Sequence, residues 1–179
     1  MKTVFMICAM AGAAFAQAGA PTIAKMYDGQ IKSAEGEIVS LAEAMPADKY
    51  NFAPTAGSFK GVRTFALQVR HIATVNYEVA AAALGEACPV DKGKDENGSN
   101  ELATKDQIVK YLKDSFAYSH KAAQSLTARN EMDQVKSPFG DGQISRVYAV
   151  SCVTWHSFDH YGQMVVYARM NNVIPPASK

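Results

Sequence analysis

The stretch Ala149-Val150-Ser151-Cys152-Val153-Thr154-Trp155-His156-Ser157-Phe158-Asp159-His160, running on through Met164 to Tyr167, decides the fold. Read as a helix, it places Ala149, Val153, Met164 and Tyr167 on one apolar face. His156 and His160 fall on that same face, stacked one turn apart. An imidazole on an inward face must find a partner or destabilise the fold. Two convergent imidazoles can chelate one transition metal, and a third from another helix would complete a facial triad with open coordination positions. The bland alternative, a pair of core histidines, stays open because H-x-x-x-H is a common chance pattern.

Three further helical segments are legible on either side. The first is expected from about Thr22 to Met45, where Ile23, Tyr27, Ile31, Ala34, Ile38, Leu41 and Met45 recur at i+3/i+4 steps. Pro46 ends it, and Pro46, Pro54 and Gly57 mark a loop. The second is expected from about Ser58 to Leu84 on Val62, Phe65, Val69, Ile72 and Val79, with His71 at the edge of that arc. Gly85 and Pro89 close it. Asp91 to Asn100 is polar and reads as a solvated loop. The third runs from about Thr104 to Arg129 on Ile108, Leu112, Phe116, Ala123 and Leu126. Ser137 to Gly142 is turn chemistry. The fourth spans about Ile144 to Asn171. Asn172 suits a left-handed cap, and Pro175-Pro176 forbids continuation. No strand alternation is visible. Four long helices joined by short to moderate loops imply an all-α four-helix bundle, a fold that holds metals on side chains of facing helices.

The N-terminus has a different character. Met1-Lys2-Thr3 is a short basic region, Val4 to Ala13 is apolar, and Ala14-Phe15-Ala16 is a small-x-small cleavage site. Together they read as a secretory signal peptide over residues 1–16, cut before Gln17. The domain would then be residues 17–179, exported to the periplasm or secreted, with no membrane association after cleavage. Removal of Lys2 leaves 17 basic and 17 acidic residues. A neutral chain without a basic stripe argues against nucleic-acid binding. Cys88 and Cys152 remain after cleavage. If His71 meets His156 and the helix persists to Cys88, its rise separates the two sulfurs too far for an internal bridge; a helix that ends at Gly85 leaves a bridge open.

Other residues offer weaker signals. Ser157 stands where the zincin motif has glutamate, and Asp159 where the inverted motif has it, so neither peptidase pattern is met in full. Asp159 is a candidate base or orienting group, or a solvated helix charge. His120, one turn after Phe116, is a candidate fourth ligand or a core group. Trp155, Phe158 and Tyr161 read as packing.

Three stretches together resemble the DinB-like (DinB/YfiT) superfamily of metalloenzymes. They are Leu41 to Tyr50 running into Phe52-Ala53-Pro54-Thr55; Ser58-Phe59 with Gln68-Val69-Arg70-His71-Ile72-Ala73 and Asn76-Tyr77; and His156 to Gln163 with Val166 to Asn171 and Pro175-Pro176-Ala177-Ser178. The resemblance covers roughly residues 22–178. It implies a four-helix bundle of mirror up-and-down connectivity. It also implies a divalent metal on His71, His156 and His160, with zinc or nickel best suited and iron or manganese open. Some relatives transfer or isomerise low-molecular-weight thiols, which makes a metal-dependent transferase or hydrolase acting on a small molecule the leading expectation. A non-catalytic metal-binding or stress-related protein and a purely structural bundle are the alternatives. A homodimer through a bundle face is compatible with the fold.

Overall fold

The computed structural model describes residues 21–179; the expected signal peptide and its cleavage site lie outside these residues. Four helices make up the body: α1 (Ile23–Ala44), α2 (Phe65–Leu84), α3 (Lys105–Gln124) and α4 (Arg146–Met170). Each starts on a hydroxyl side chain that accepts from a backbone N–H one turn in: Thr22, Thr64, Thr104 and Ser145. At Thr104 the cap is reciprocal, with Gln107 reaching back to the Thr104 N–H at 3.0 Å. Two helices end in a left-handed residue. Gly85 (φ 71°) closes α2, and Asn172 (φ 59°) closes α4 where the sequence predicts such a cap. There the Val173 and Asn172 N–H groups return to the Ala168 and Arg169 carbonyls at 2.9 and 3.1 Å.

The helices pack in the ring order α1–α3–α2–α4. α1 and α2 therefore occupy diagonal corners, as do α3 and α4. A plain up-and-down bundle would seat α1 beside α2; here the connection over residues 45–64 crosses the end of the bundle. Ile31, Ile38 and Leu41 from α1, Phe65, Val69 and Ile72 from α2, Leu112 and Phe116 from α3, and Val153 and Met164 from α4 fill the centre with no exposed surface. Phe116→Ala is expected to cost about 3–5 kcal/mol, because Phe116 is fully buried in the core cluster and its removal leaves a void there. A chemical-denaturation midpoint unchanged from the parent would contradict this packing.

Two boundaries differ from the sequence reading. α2 begins at Phe65 rather than near Ser58, because Thr64 takes the capping role and Gly61 upstream adopts φ 82°. α3 stops at Gln124 rather than near Arg129. Asn130 turns the chain there, accepting from the Thr127 N–H at 2.7 Å and donating to the Ser125 carbonyl at 3.0 Å. A two-stranded antiparallel hairpin, β1 (Gln134–Lys136) and β2 (Gln143–Ser145), corrects the expectation of no strands. Each strand is only three residues long, too short to show an alternation in sequence. Cys88 and Cys152 are unbridged. No helix among the described residues is long and apolar enough to cross a membrane.

Candidate metal centre

α2 is buried on nearly every side, including the side that carries its polar residues. Gln68, Arg70, His71, Thr74, Asn76 and Glu78 are all 9% exposed or less. α3 and α4 flank this helix, and the segments before and after it fold over the rest. Asn76 ties three helices together in the core. It donates to Ser115 Oγ on α3 at 3.4 Å and accepts from Ser157 Oγ on α4 at 3.3 Å. The neighbouring turns carry the histidines.

His71 from α2 meets His156 and His160 from α4, as the sequence reading expects. One ring nitrogen from each lies within 4.8 Å of the others, and the ring centroids are 4.6 to 5.1 Å apart. His71 Nδ1–H donates to the Glu96 carbonyl at 3.0 Å. A carbonyl can only accept, so the tautomer is fixed and the Nε2 lone pair faces inward. His160 is fixed the same way. Gln68 donates its amide N–H to Gln163 Oε1 at 2.9 Å, which turns its own Oε1 to accept from His160 Nδ1–H at 2.6 Å. His156 Nδ1 is buried and has no partner among the described residues. Its Nε2 stands 3.3 Å from His71 Nε2.

That separation matches a chelate as well as it matches a hydrogen bond from one imidazole to the other. Two nitrogens bound to one tetrahedral zinc at ~2.0–2.1 Å stand ~3.3–3.4 Å apart, the edge of the tetrahedron. Electrostatics agree. Burial holds His71 below the usual imidazole range, with the Arg63 charge adding to it. Burial and the neighbouring rings push His156 down to about 3 and His160 to about 4. All three imidazoles are therefore neutral at pH 7, the form in which histidine ligates. The donor set thus fits a divalent transition metal, with fixed outer partners on two of its three members.

The loop over residues 91–100 is not the solvated segment its composition suggests. It roofs the centre. Asp95 and Glu96 both take left-handed backbone (φ 56° and 57°), which aims the Glu96 carbonyl at His71. Arg70 holds the segment from below, donating to the Asn97, Gly98 and Ser99 carbonyls at 2.7, 3.1 and 2.8 Å. Arg63 holds it from the side through Asn97 Oδ1 at 3.0 Å and the Asp95 carbonyl at 2.9 Å. Beside it lies a cleft of about 570 Å³ lined by Arg63, Gln68, Asp95, Asn97 and Gln163. Sequence reading missed Gln68, Gln163, Arg63 and Arg70 as site residues. The one available signal was the position of Gln68 and Arg70 within the turn that ends at His71.

The remaining candidates lie elsewhere. His120 is on α3 facing α1, where Nδ1 meets Asp28 at 2.7 Å and Nε2 meets Glu35 at 3.3 Å. Both ring nitrogens are engaged away from the α2–α4 seam. Its hydrogen bond holds the Asp28 carboxyl below the usual range. Asp159 is exposed and makes no hydrogen bond to an imidazole. Trp155 is half exposed, with its ring centroid 6.1 Å from that of His156, so it borders the centre rather than filling the core.

A family model of the DinB superfamily matches residues 30–164. No protein of curated function matches the chain. Similar solved structures include the following three. A DinB-like protein from Bacillus cereus aligns at TM-score 0.67 and 14% identity, covering 87% of this chain and 97% of its own. A conserved protein from Enterococcus faecalis aligns at 0.65 and 14%, covering 84% and 98%. A DinB-like protein from Bacillus subtilis aligns at 0.62 and 17%, covering 82% and 92%. At such identities the likeness shows the fold alone.

Proposed function

The chain belongs to the DinB superfamily, and from that premise we propose that it is an exported protein holding one divalent transition metal on Nε2 of His71, His156 and His160. Zinc or nickel suits the three neutral nitrogens best, with iron or manganese also compatible. The observation that carries the reading is the convergence of one ring nitrogen from each of the three histidines to within 4.8 Å of the others. The outward nitrogens of His71 and His160 are meanwhile committed to fixed acceptors.

A cation held by three protein ligands keeps a coordination position for a small molecule, and supplies a Lewis acid that lowers the pKa of a bound water or thiol. The chain does the rest. Glu96 and Gln68 orient two imidazoles before any ligand arrives, so little ordering is lost on binding. The roof over residues 91–100 limits access of water. Arg63 places a fixed positive charge beside the centre. These features suit a metal-dependent transferase or hydrolase of small molecules. One observation favours a non-catalytic metal-binding role with the same ligands: the 570 Å³ cleft ends at Gln68, and the imidazoles do not line it. Export rests on the sequence of residues 1–16.

The test is elemental analysis of dialysed protein. About one metal per chain is expected for the parent and for His120→Ala, and almost none for His156→Ala or His160→Ala. Full occupancy in either of the last two would sink the assignment. A screen with thiol, ester and amide substrates, run with and without chelator, then separates the enzyme from the binding protein. Turnover that survives complete metal removal would defeat the catalytic reading. An intact mass matching a chain that begins at Gln17 is expected for native protein; a full-length cytoplasmic species would contradict export.

A further inference from the structure

A second cavity, of about 640 Å³, lies between the last turns of α2 and the β-hairpin. Glu78 begins it, seven residues beyond His71, or ~10 Å of helix rise. Arg146 borders it ten residues before His156, or ~15 Å. It shares no lining residue with the three-histidine centre.

Glu78 is 2% exposed. Its Oε1 forms an ion pair with Lys92, but its Oε2 is buried with no partner among the described residues. Burial raises this carboxyl, and Lys92 opposes the rise. Arg146 donates one terminal N–H to the Ala83 carbonyl at 2.6 Å. Its Nε–H is also buried without a partner, and the Asp133 carboxylate stands at 3.8 Å, beyond hydrogen-bond reach. The same cavity therefore holds a carboxylate and a guanidinium, each with one unsatisfied buried atom, and the two do not pair with each other. Groups left in this state are costly unless a third species satisfies both. Ala81, Ala82 and Val135 also line the cavity, as does the exposed Lys136.

We propose that this cavity binds a free α-amino acid, with its ammonium on Glu78 Oε2 and its carboxylate on Arg146 Nε and the Lys136 ammonium. Its side chain would lie over Ala81, Ala82 and Val135. Lys92 already offsets the Glu78 charge, but a simple anion would leave Glu78 Oε2 without a donor, and a simple amine would leave Arg146 Nε–H without an acceptor. A zwitterion satisfies both.

Isothermal titration of the purified, metal-loaded protein with the proteinogenic amino acids tests this, leucine being the first probe. Saturable binding is expected for leucine, and at least tenfold weaker binding for N-acetyl-leucine, which lacks the ammonium, and for leucinamide, which lacks the carboxylate. Glu78→Gln should weaken leucine by tenfold or more. Arg146→Lys should do so too, since lysine can still reach the Ala83 carbonyl but offers no Nε–H. Metal content, read in parallel, should not change in either variant, which shows that the fold and the histidine centre survive. Binding by no amino acid, equal binding of either blocked analogue, or full affinity in both variants would overturn the proposal. So would leucine binding that vanishes in His160→Ala, which would move the site to the metal centre.

Discussion

Arg70→Ala is expected to lose about 3 kcal/mol or more of stability and to weaken metal binding roughly 10- to 100-fold, although Arg70 touches no imidazole. Arg70 is 9% exposed and serves three consecutive carbonyls of the roof, those of Asn97, Gly98 and Ser99. Without it those acceptors are left without their donor. The two left-handed residues just before them, Asp95 and Glu96, each hold a conformation that costs about 1–2 kcal/mol in a non-glycine residue. Once released, that backbone has no reason to keep the Glu96 carbonyl on His71 Nδ1, so His71 loses its fixed tautomer. Arg70→Lys should recover little, because one ammonium cannot span the three carbonyls that the guanidinium fork reaches. Urea denaturation and metal competition with a chromophoric chelator measure the two effects. A variant with parental metal affinity would show that the roof does not position His71.

The second large effect is on acid stability. In the unfolded chain each imidazole titrates near pH 6.5; in the folded, metal-free chain His160 waits until about pH 4 and His156 until about pH 3. Between these limits the unfolded state binds more protons, so stability falls as pH falls, starting near 6.5. At pH 5 the two residues together cost the fold about 4 kcal/mol, taking 1.36 kcal/mol per unit for each. Asp28 does not blur this window, because a lowered carboxyl loses its contribution only below its own unfolded range near 3.8. Glu78, raised by burial, opposes the trend and is held constant by making the comparison in Glu78→Gln as well. Denaturation midpoints of chelator-treated protein at pH 7 and pH 5 supply the test. Equal midpoints would mean that the imidazoles reach solvent far more freely than their burial implies.

The bundle was legible because its determinants are local. Ile31, Ile38 and Leu41 mark the inner face of α1 by spacing alone, and Gly85, Asn172 and Pro175 punctuate two helix ends without any tertiary partner. The histidine pair was legible for the same reason, since i and i+4 on an apolar face meet whatever the rest of the chain does. What stayed hidden depends on distant neighbours. Gln68, Arg70 and Glu78 fall outside the apolar arc of α2, and nothing in them says that residues 91–100 will lie across that side. The left-handed turn there is made by Asp95 and Glu96 rather than by glycine, so it carries no composition signal. The hairpin escaped because its pairing, Val135 with Ile144, is set by its turn and its packing, not by a pattern within either strand.

The diagonal placement of α1 and α2 has a consequence for how the chain is made. As it emerges from the ribosome, α1 has no docking partner until α3 has been synthesised, some sixty residues later, and its second partner α4 comes later still. α2 and α3 are sequence neighbours and can pair first, so they are the natural nucleus, with α1 a late arrival whose apolar stripe stays uncovered meanwhile. A fragment ending at residue 104 should accordingly stay unfolded despite containing two complete helices. A fragment that lacks only α1 should collapse around the α2–α3 pair with an open flank, short-lived and prone to self-association.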